Sequence, residues 1–269
     1  MSIASSAPVG IVGGTGWLGR SLGRAFLASG ALGHDELIVS NRSGARTGYE
    51  EHPEIVVTTD LDRLLAKARS VILAVPPADF GAMSFEAGEH PVISIMAGAS
   101  IARIAERTGA EAIVRTMPNV AAEFGLCYTP WFATEAVDAE QRAAVQSLFE
   151  CCGQADELAS EEQIDYFTAL TGPVPGFVAQ YADCMVAHAV AHGVSRRIAE
   201  RAIKQLFHAS GVAMARSTLS PAEHVSQMLD YDGTTAAGLR QVLGTTLRDP
   251  IGAGIEAAWA KAKTDMTRG

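Results

Sequence analysis

The sequence predicts an α/β protein in two parts, a doubly wound parallel sheet over residues 1–160 and an all-helical domain over residues 161–269. Three observations predict it. Short β-branched runs alternate with helical patterns through the first part, which is the rhythm of βα units. A glycine-rich turn, Gly10-Ile-Val-Gly-Gly-Thr-Gly-Trp-Leu-Gly19, joins the first run to the first helical pattern. Near Ser160 the strand pattern stops, and alanine-rich helical patterns continue to the C-terminus.

Taken in order, Val9–Val12 reads as the first strand. Leu18, Leu22 and Phe26 then recur at i, i+4 and i+8, an apolar stripe on one helix face that Gly30 and Gly33 end. Leu37–Val39, Ile55–Val57 and Val71–Val75 are the second, third and fourth strands, with a short helix from Asp60 that turns Leu61, Leu64 and Leu65 inward. Val92–Ile95 is the fifth strand. Ser100 is placed to cap a helix through Arg107 whose Ile101 and Ile104 face the sheet. Ile113–Val114 is the sixth strand, and Asp138 with Gln141 has the spacing of a capping box for a helix through Phe149. Beyond a boundary around Glu157–Glu162 the helices are Asp165–Thr171, Val174–His192, Arg196–Ser217, Pro221–Leu229, Thr234–Gly244 and Gly254–Arg268. Small alanine faces allow close helix approach, so this part is expected to form a dimer.

The turn contains Gly14-x-Gly16-x-x-Gly19 between a strand and a helix, the context that a dinucleotide-binding fingerprint requires. One glycine makes the turn, one lets a pyrophosphate approach the backbone, and one packs the helix on the strand. The helix start offers free N–H groups and a partial positive charge to the phosphates. The first part is therefore expected to be a Rossmann-type unit, with Gly14, Thr15, Gly16, Trp17 and Leu18 at the cofactor. The end of the second strand decides which cofactor. A carboxylate there accepts bonds from ribose hydroxyls and favours NAD. This chain instead has Ser40-Asn41-Arg42-Ser43. Arg42 can pair bidentately with a 2′-phosphate, and Asn41 and Ser43 can donate to it, so NADP(H) is expected.

Bulk properties exclude several classes. With 21 Lys and Arg against 30 Asp and Glu, the net charge is −9, which argues against nucleic acid or an anionic membrane as partner. No apolar stretch reaches membrane-spanning length, since the run near Gly176–Val194 is broken by Gln180, Asp183, His188 and His192. Met1–Pro8 has no basic residue and leads straight into the first strand, so no signal peptide is expected. The 4 cysteines, Cys127, Cys151, Cys152 and Cys184, show no C-x-x-C spacing and fit a cytoplasmic protein with reduced thiols. His188 and His192, at i and i+4, could hold a metal but lack a third ligand at helical spacing, so no metal is expected. Cys127 reads as a buried small hydrophobe.

Four segments give the chain a resemblance to the pyrroline-5-carboxylate reductases, which reduce a cyclic imine to proline. They are the glycine turn, Val71-Ile-Leu-Ala-Val-Pro-Pro77, Ser94-Ile-Met-Ala-Gly98 with the later Arg115-Thr-Met-Pro-Asn119, and Asp232-Gly-Thr-Thr-Ala-Ala-Gly-Leu239. The third resembles the family's R-x-M-P-N and the fourth its Gly-Gly-Thr-Thr helix start, in order and along essentially the whole chain. The resemblance implies that Ala74, Val75 and Pro76 flank the cofactor and that Met117, Pro118 and Asn119 lie beside the nicotinamide. It implies that Gly233, Thr234 and Thr235 begin a helix facing the substrate carboxylate, with Thr235 bonding the ring nitrogen or that carboxylate. It also implies that a partner subunit helps build the site.

The chain departs from the family where Ser-Pro-Gly-Gly-Thr-Thr reads Asp230-Tyr-Asp-Gly-Thr-Thr235. At an effective dielectric near 20, a like charge about 4 Å from an anionic substrate costs about 4 kcal/mol. Asp230 and Asp232 must therefore turn away, capping the helix, or stabilise an iminium in a substrate lacking the carboxylate. The family's Gly-Ser-x-Pro-Ala also reads Gly172-Pro-Val-Pro-Gly176, and the lysine of Ala-Val-Lys-Pro is Pro76. Two alternatives keep part of the pattern. A β-hydroxyacid dehydrogenase shares the two-domain plan, but Gly172–Tyr181 carries no lysine to polarise a carbonyl. A deazaflavin-dependent NADP reductase has a similar opening turn without R-x-M-P-N, and a non-catalytic NADP(H) sensor would need no substrate pocket.

Overall fold

The computed structural model describes residues 7–268. Eight strands form one sheet: β1 (Val9–Val12), β2 (Leu37–Ser40), β3 (Val56–Thr58), β4 (Ser70–Leu73), β5 (Val92–Ser94), β6 (Ile113–Thr116), β7 (Cys127–Ala133) and β8 (Gly153–Glu157). Their order across the sheet is β3-β2-β1-β4-β5-β6-β7-β8. The helices α1 (Trp17–Ala28), α2 (Leu61–Leu65), α3 (Pro77–Phe80), α4 (Ile101–Thr108) and α5 (Ala139–Glu150) connect them. α6 (Glu161–Thr171), α7 (Val174–Ala191), α8 (Arg196–Arg216), α9 (Pro221–Asp230), α10 (Thr234–Leu243) and α11 (Arg248–Arg268) follow.

The alternation of the strands explains why helices cover both sheet faces. Val9, Ile11, Val39, Ile72, Ile93 and Val114 point to one core, which holds Leu22 and Phe26 of α1 and Leu148 and Phe149 of α5. Ile38, Val71, Leu73, Val92 and Ile113 point to the other, with Leu64 of α2, Phe80 of α3 and Ile104 of α4. A strand buried on both faces reads as a continuous apolar run, and β1, β2 and β4 do. The predicted caps form: Ser100 accepts from the Arg103 N–H, and Asp138 and Gln141 close a reciprocal capping box.

Two strands lie outside the sequence-based expectation of six. β7 pairs antiparallel with β6 and parallel with β8. Its Pro130 has no N–H for a ladder, which reads against a strand. β8 is a polar edge strand in which only Ala155 is buried. Two helices also begin earlier than their sequence patterns. α6 starts at Glu161 rather than Asp165, and α11 at Arg248 rather than Gly254, because Pro250 lies in the first turn, where its missing N–H costs nothing.

Among the described residues the chain forms two compact units, one running through Gly172 and including the chain from Ala258, the other Pro173–Ala257. The second is helical and has a small core of Val186, Ala199 and Ile203. No helix among the described residues is long and apolar enough to cross a membrane.

Candidate active site

The glycine turn sits at the C-terminal end of β1, where parallel strands present their loops. Gly13 adopts φ +79°, and a β-carbon there would lie 2.7 Å from the Ala74 carbonyl oxygen. Only glycine fits that position. Gly16 is different. Its φ of −63° suits any residue, and it is the N-cap of α1, with no side chain to occupy the helix's first N–H groups. No acidic residue lies in that first turn. The helix start is therefore open to an anion.

A cleft of 790 Å³ opens at this turn. It is lined by Gly13, Thr15 and Gly16, by Ser40, Asn41, Arg42 and Ser43 after β2, by Ala74, Val75 and Pro76 after β4, and by Asp79 of α3. Eight residues expected at a cofactor from the sequence thus meet in one place: Thr15, Gly16, Asn41, Arg42, Ser43, Ala74, Val75 and Pro76. The others do not line it. Gly14 packs under the turn against Ile11 and Val39. Leu18 packs on the core, and the Trp17 side chain is exposed.

The loop after β2 differs in detail from its expected role. The Ser43 hydroxyl donates to Asn41 Oδ1 at 3.1 Å, and Asn41 Nδ2 donates to the Ala45 carbonyl at 2.8 Å. These bonds hold the loop in shape, with one of the two Asn41 Nδ2 hydrogens engaged by the Ala45 carbonyl. Arg42 is left as the exposed cation, and its guanidinium lies 3.3 Å from the Asp79 carboxylate. A cleft with a bare glycine turn, an uncapped helix start and an exposed arginine past the second strand fits a dinucleotide carrying a 2′-phosphate.

Tyr49 supports the turn and has no signal in the local sequence. Its side chain is fully buried, and its hydroxyl donates to the Gly14 carbonyl at 3.2 Å. Gly23 of α1 makes room for it, since a β-carbon there would overlap the phenol oxygen. Burial pushes the phenol's pKa well above the usual tyrosine value, with Arg20 and Arg24 pulling partly back. The group therefore stays a donor across the physiological range. Tyr49→Phe should cost about 1 kcal/mol by chemical denaturation, the worth of one buried hydrogen bond, and weaken NADPH binding several-fold by loosening the turn. The unfolded chain releases the proton at the lower, ordinary pKa, so stability falls as pH rises past about 10. That alkaline slope should be shallower in the phenylalanine variant. Unchanged nucleotide affinity would limit Tyr49 to core packing.

The R-x-M-P-N segment ends β6. Arg115 is buried, 1 % exposed, and its two terminal nitrogens reach Glu161 at 2.7 Å and Asp165 at 2.9 Å. Glu161 also accepts from the Ile101 N–H at 2.8 Å. The motif's arginine thus locks the start of α6 to the sheet and to α4. Met117 and Pro118 are buried, and Asn119 caps the following turn through the Ala121 N–H at 2.9 Å. None of the three lines the cleft. Cys127 is buried on β7 as expected, with its sulfur accepting from the Asn119 N–H at 3.2 Å.

In the helical unit Gly233 is the N-cap of α10 and makes no side-chain cap. Thr234 and Thr235 open the helix, and both are exposed. Asp230 is the last residue of α9. Asp232 adopts φ 51°, the conformation that favours glycine, and its carboxylate pairs with Arg240 at 2.6 Å. It is therefore turned onto Arg240 of α10 and is not that helix's N-cap, a place Gly233 takes, contrary to the expected capping role. His192 bonds the His188 carbonyl, and no group of three or more metal-binding side chains occurs among the described residues.

Residues 161–265 match the family model for pyrroline-5-carboxylate reductase dimerisation. Over 249 residues the chain is 32 % identical to the pyrroline-5-carboxylate reductase of Thermus thermophilus, covering 91 % of this chain and 94 % of that protein. The chain belongs to the pyrroline-5-carboxylate reductase family. The reductase of Synechocystis is 27 % identical over 96 % of this chain and 98 % of its own. Residues 8–98 match a second model, described as NADP oxidoreductase, coenzyme F420-dependent. That match runs from β1 through β5, well beyond the opening turn, and stops before Arg115–Asn119.

Solved structures agree on the fold. A pyrroline-5-carboxylate reductase from Coxiella burnetii superposes with a TM-score of 0.87, at 23 % identity over 97 % of this chain and 98 % of that one. The Plasmodium falciparum enzyme, solved with NADP bound, gives 0.77 at 20 % identity over 97 % and 99 %. The family fold is a Rossmann-type sheet followed by an all-α dimerisation domain, and this chain has both parts.

Proposed function

We propose that this protein is an NADPH-dependent reductase of a cyclic imine, taking pyrroline-5-carboxylate to proline. The near full-length match to a pyrroline-5-carboxylate reductase carries the reading. The cleft at the glycine turn, which fits NADP(H), supports it. When bound, NADPH supplies a hydride to the imine carbon. The protein's share is to bind, orient and exclude water. Gly13 and Gly16 let the backbone approach the pyrophosphate, the N–H groups at the start of α1 receive it, and Arg42 pairs with the 2′-phosphate. Ala74, Val75 and Pro76 flank the cofactor, and Met117, Pro118 and Asn119 complete the nicotinamide end.

On the substrate side, Gly233, Thr234 and Thr235 receive the carboxylate at the start of α10, and the Thr235 hydroxyl bonds the ring nitrogen or that carboxylate. The pairing of Asp232 with Arg240 supports a carboxylate-bearing substrate, because it offsets the nearest negative charge and leaves the helix start uncapped. Asp230, by the same reading, is directed away from the anion. The domain boundary is placed at 160/161, the helical domain forms a homodimer or a higher homo-oligomer, and the protein acts in the cytoplasm.

The test offers pyrroline-5-carboxylate and plain pyrroline separately with NADPH and follows nicotinamide absorbance. Turnover of the carboxylate with proline as product supports the reading. Turnover of plain pyrroline alone, or of neither despite NADPH binding, overturns the substrate assignment. Arg42→Ala checks the cofactor. It should raise the Michaelis constant for NADPH at least tenfold while leaving that for NADH within about twofold, the loss of one charge-assisted contact being worth about 1.5–3 kcal/mol. Equal effects on both would remove Arg42 from the 2′-phosphate site.

A further inference from the structure

Of the described residues that line the 790 Å³ cleft, only Arg42 and Asp79 are charged. They come from opposite sides of it. Arg42 follows β2, and Asp79 lies on α3 after β4, with β1 between those two strands in the sheet. The guanidinium and the carboxylate meet at 3.3 Å, with the arginine side chain 90 % exposed and the aspartate 39 %. An exposed pair of this kind is weak and exchanges readily. A phosphate dianion offers the same guanidinium more charge and a bidentate geometry. The loop around Arg42 offers it little help, since Asn41 and Ser43 are bonded to each other and to Ala45.

We propose that Asp79 is a specificity-determining residue of the cofactor cleft, which competes with a nucleotide 2′-phosphate for Arg42. This rests on the reading of the cleft as an NADPH site. In the free protein Asp79 holds Arg42 across the mouth of the cleft. A 2′-phosphate must take the arginine from that carboxylate and then sit near a like charge. A nucleotide ending in a plain ribose does neither. Asp79 therefore lowers affinity for 2′-phosphorylated nucleotides selectively, and it moderates a preference that Arg42 alone would make steeper.

The experiment is equilibrium binding to the intact protein, without substrate, by calorimetry. The probes are NADPH, NADH, adenosine 2′,5′-bisphosphate and adenosine 5′-monophosphate. Asp79→Asn keeps the side-chain shape and removes the charge. It should tighten NADPH and the bisphosphate about three- to tenfold, a surface-charge effect on the scale of a single ion pair, and leave NADH and the monophosphate within about twofold. In the Arg42→Ala background the same change should gain clearly less, about twofold, because the competition is gone and only the like-charge repulsion remains. Weaker NADPH binding in Asp79→Asn, equal tightening of NADH, or an undiminished gain without Arg42 would each overturn the competition. The underlying cofactor reading fails separately, if the wild-type protein binds NADH as tightly as NADPH and Arg42→Ala weakens both alike.

Discussion

Gly16→Val should abolish nucleotide binding while leaving the protein folded. The position has φ −63° and ψ 165°, which valine adopts without strain. A β-carbon there would lie 3.1 Å from the Gly13 carbonyl and 3.8 Å from that of Ala74, with no other atom within 4 Å. The fold therefore loses little, on the order of 1 kcal/mol for the close carbonyl contact. The new methyl groups occupy the surface at which a pyrophosphate meets the backbone. Affinity for NADPH should fall at least about 100-fold, some 2.7 kcal/mol, with the thermal midpoint of the free protein shifted by only a few degrees. Gly13→Ala is the contrasting case. Its φ of +79° and the 2.7 Å approach to the Ala74 carbonyl predict loss of stability and binding together. If Gly16→Val binds NADPH normally, the phosphates lie elsewhere and the cleft does not hold the cofactor.

The largest effect on stability is expected at Arg115. Replacing it with methionine fills most of the volume but leaves Glu161 and Asp165 facing one another without a cation. Stranding a fully buried charge costs about 3–5 kcal/mol. Glu161 and Asp165 are only partly buried, at 28 % and 18 % side-chain exposure, so about 2–3 kcal/mol is expected, still a large share of a typical domain's stability. Denaturant titration should show that loss, together with earlier proteolysis within α6. Adding Glu161→Gln and Asp165→Asn to the same chain should return part of it, because the stranded charges are gone. A loss under about 1 kcal/mol in the single variant would mean that water, not Arg115, satisfies the two carboxylates.

These two sites show which parts of the molecule are legible in the sequence. The glycine turn is a local signal: strand, glycines and helix lie within one short stretch, and the structure places Thr15 and Gly16 at the cleft. The loop Asn41–Ser43 was likewise readable from its place after a strand. Its internal bonding was not, because nothing in the residue types says that Ser43 will donate to Asn41 rather than to a ligand. β1 to β6 follow from alternating apolar runs. β7 and β8 do not, since one contains Pro130 and the other is a polar edge strand whose register is set by its neighbour.

Contacts between distant residues were the least legible. Tyr49 meets Gly14 across 35 positions, and Arg115 meets Glu161 and Asp165 across 46 and 50. Arg115 does leave a trace, as a charge inside the apolar strand Ile113-Val-Arg-Thr116, where an unpaired arginine would be prohibitive. The trace says that a partner exists and does not name it. Asp232 shows the reverse. The sequence marks it as a departure from the family's glycine, and φ 51° with the Arg240 pairing shows how an aspartate occupies a position that suits glycine.

In the proposed reaction, NADPH held in the cleft at the glycine turn passes its hydride to the carbon of a carboxylate-bearing cyclic imine. The most direct measurement is isotope transfer, in which NADPH deuterated at the reactive nicotinamide carbon is incubated with pyrroline-5-carboxylate and the product is analysed by mass spectrometry and NMR. The expected product is proline carrying one deuterium, on the ring carbon that was double-bonded to nitrogen, with no transfer in the Gly16→Val variant. Proline without deuterium, or NADPH bound with no proline formed, would contradict it.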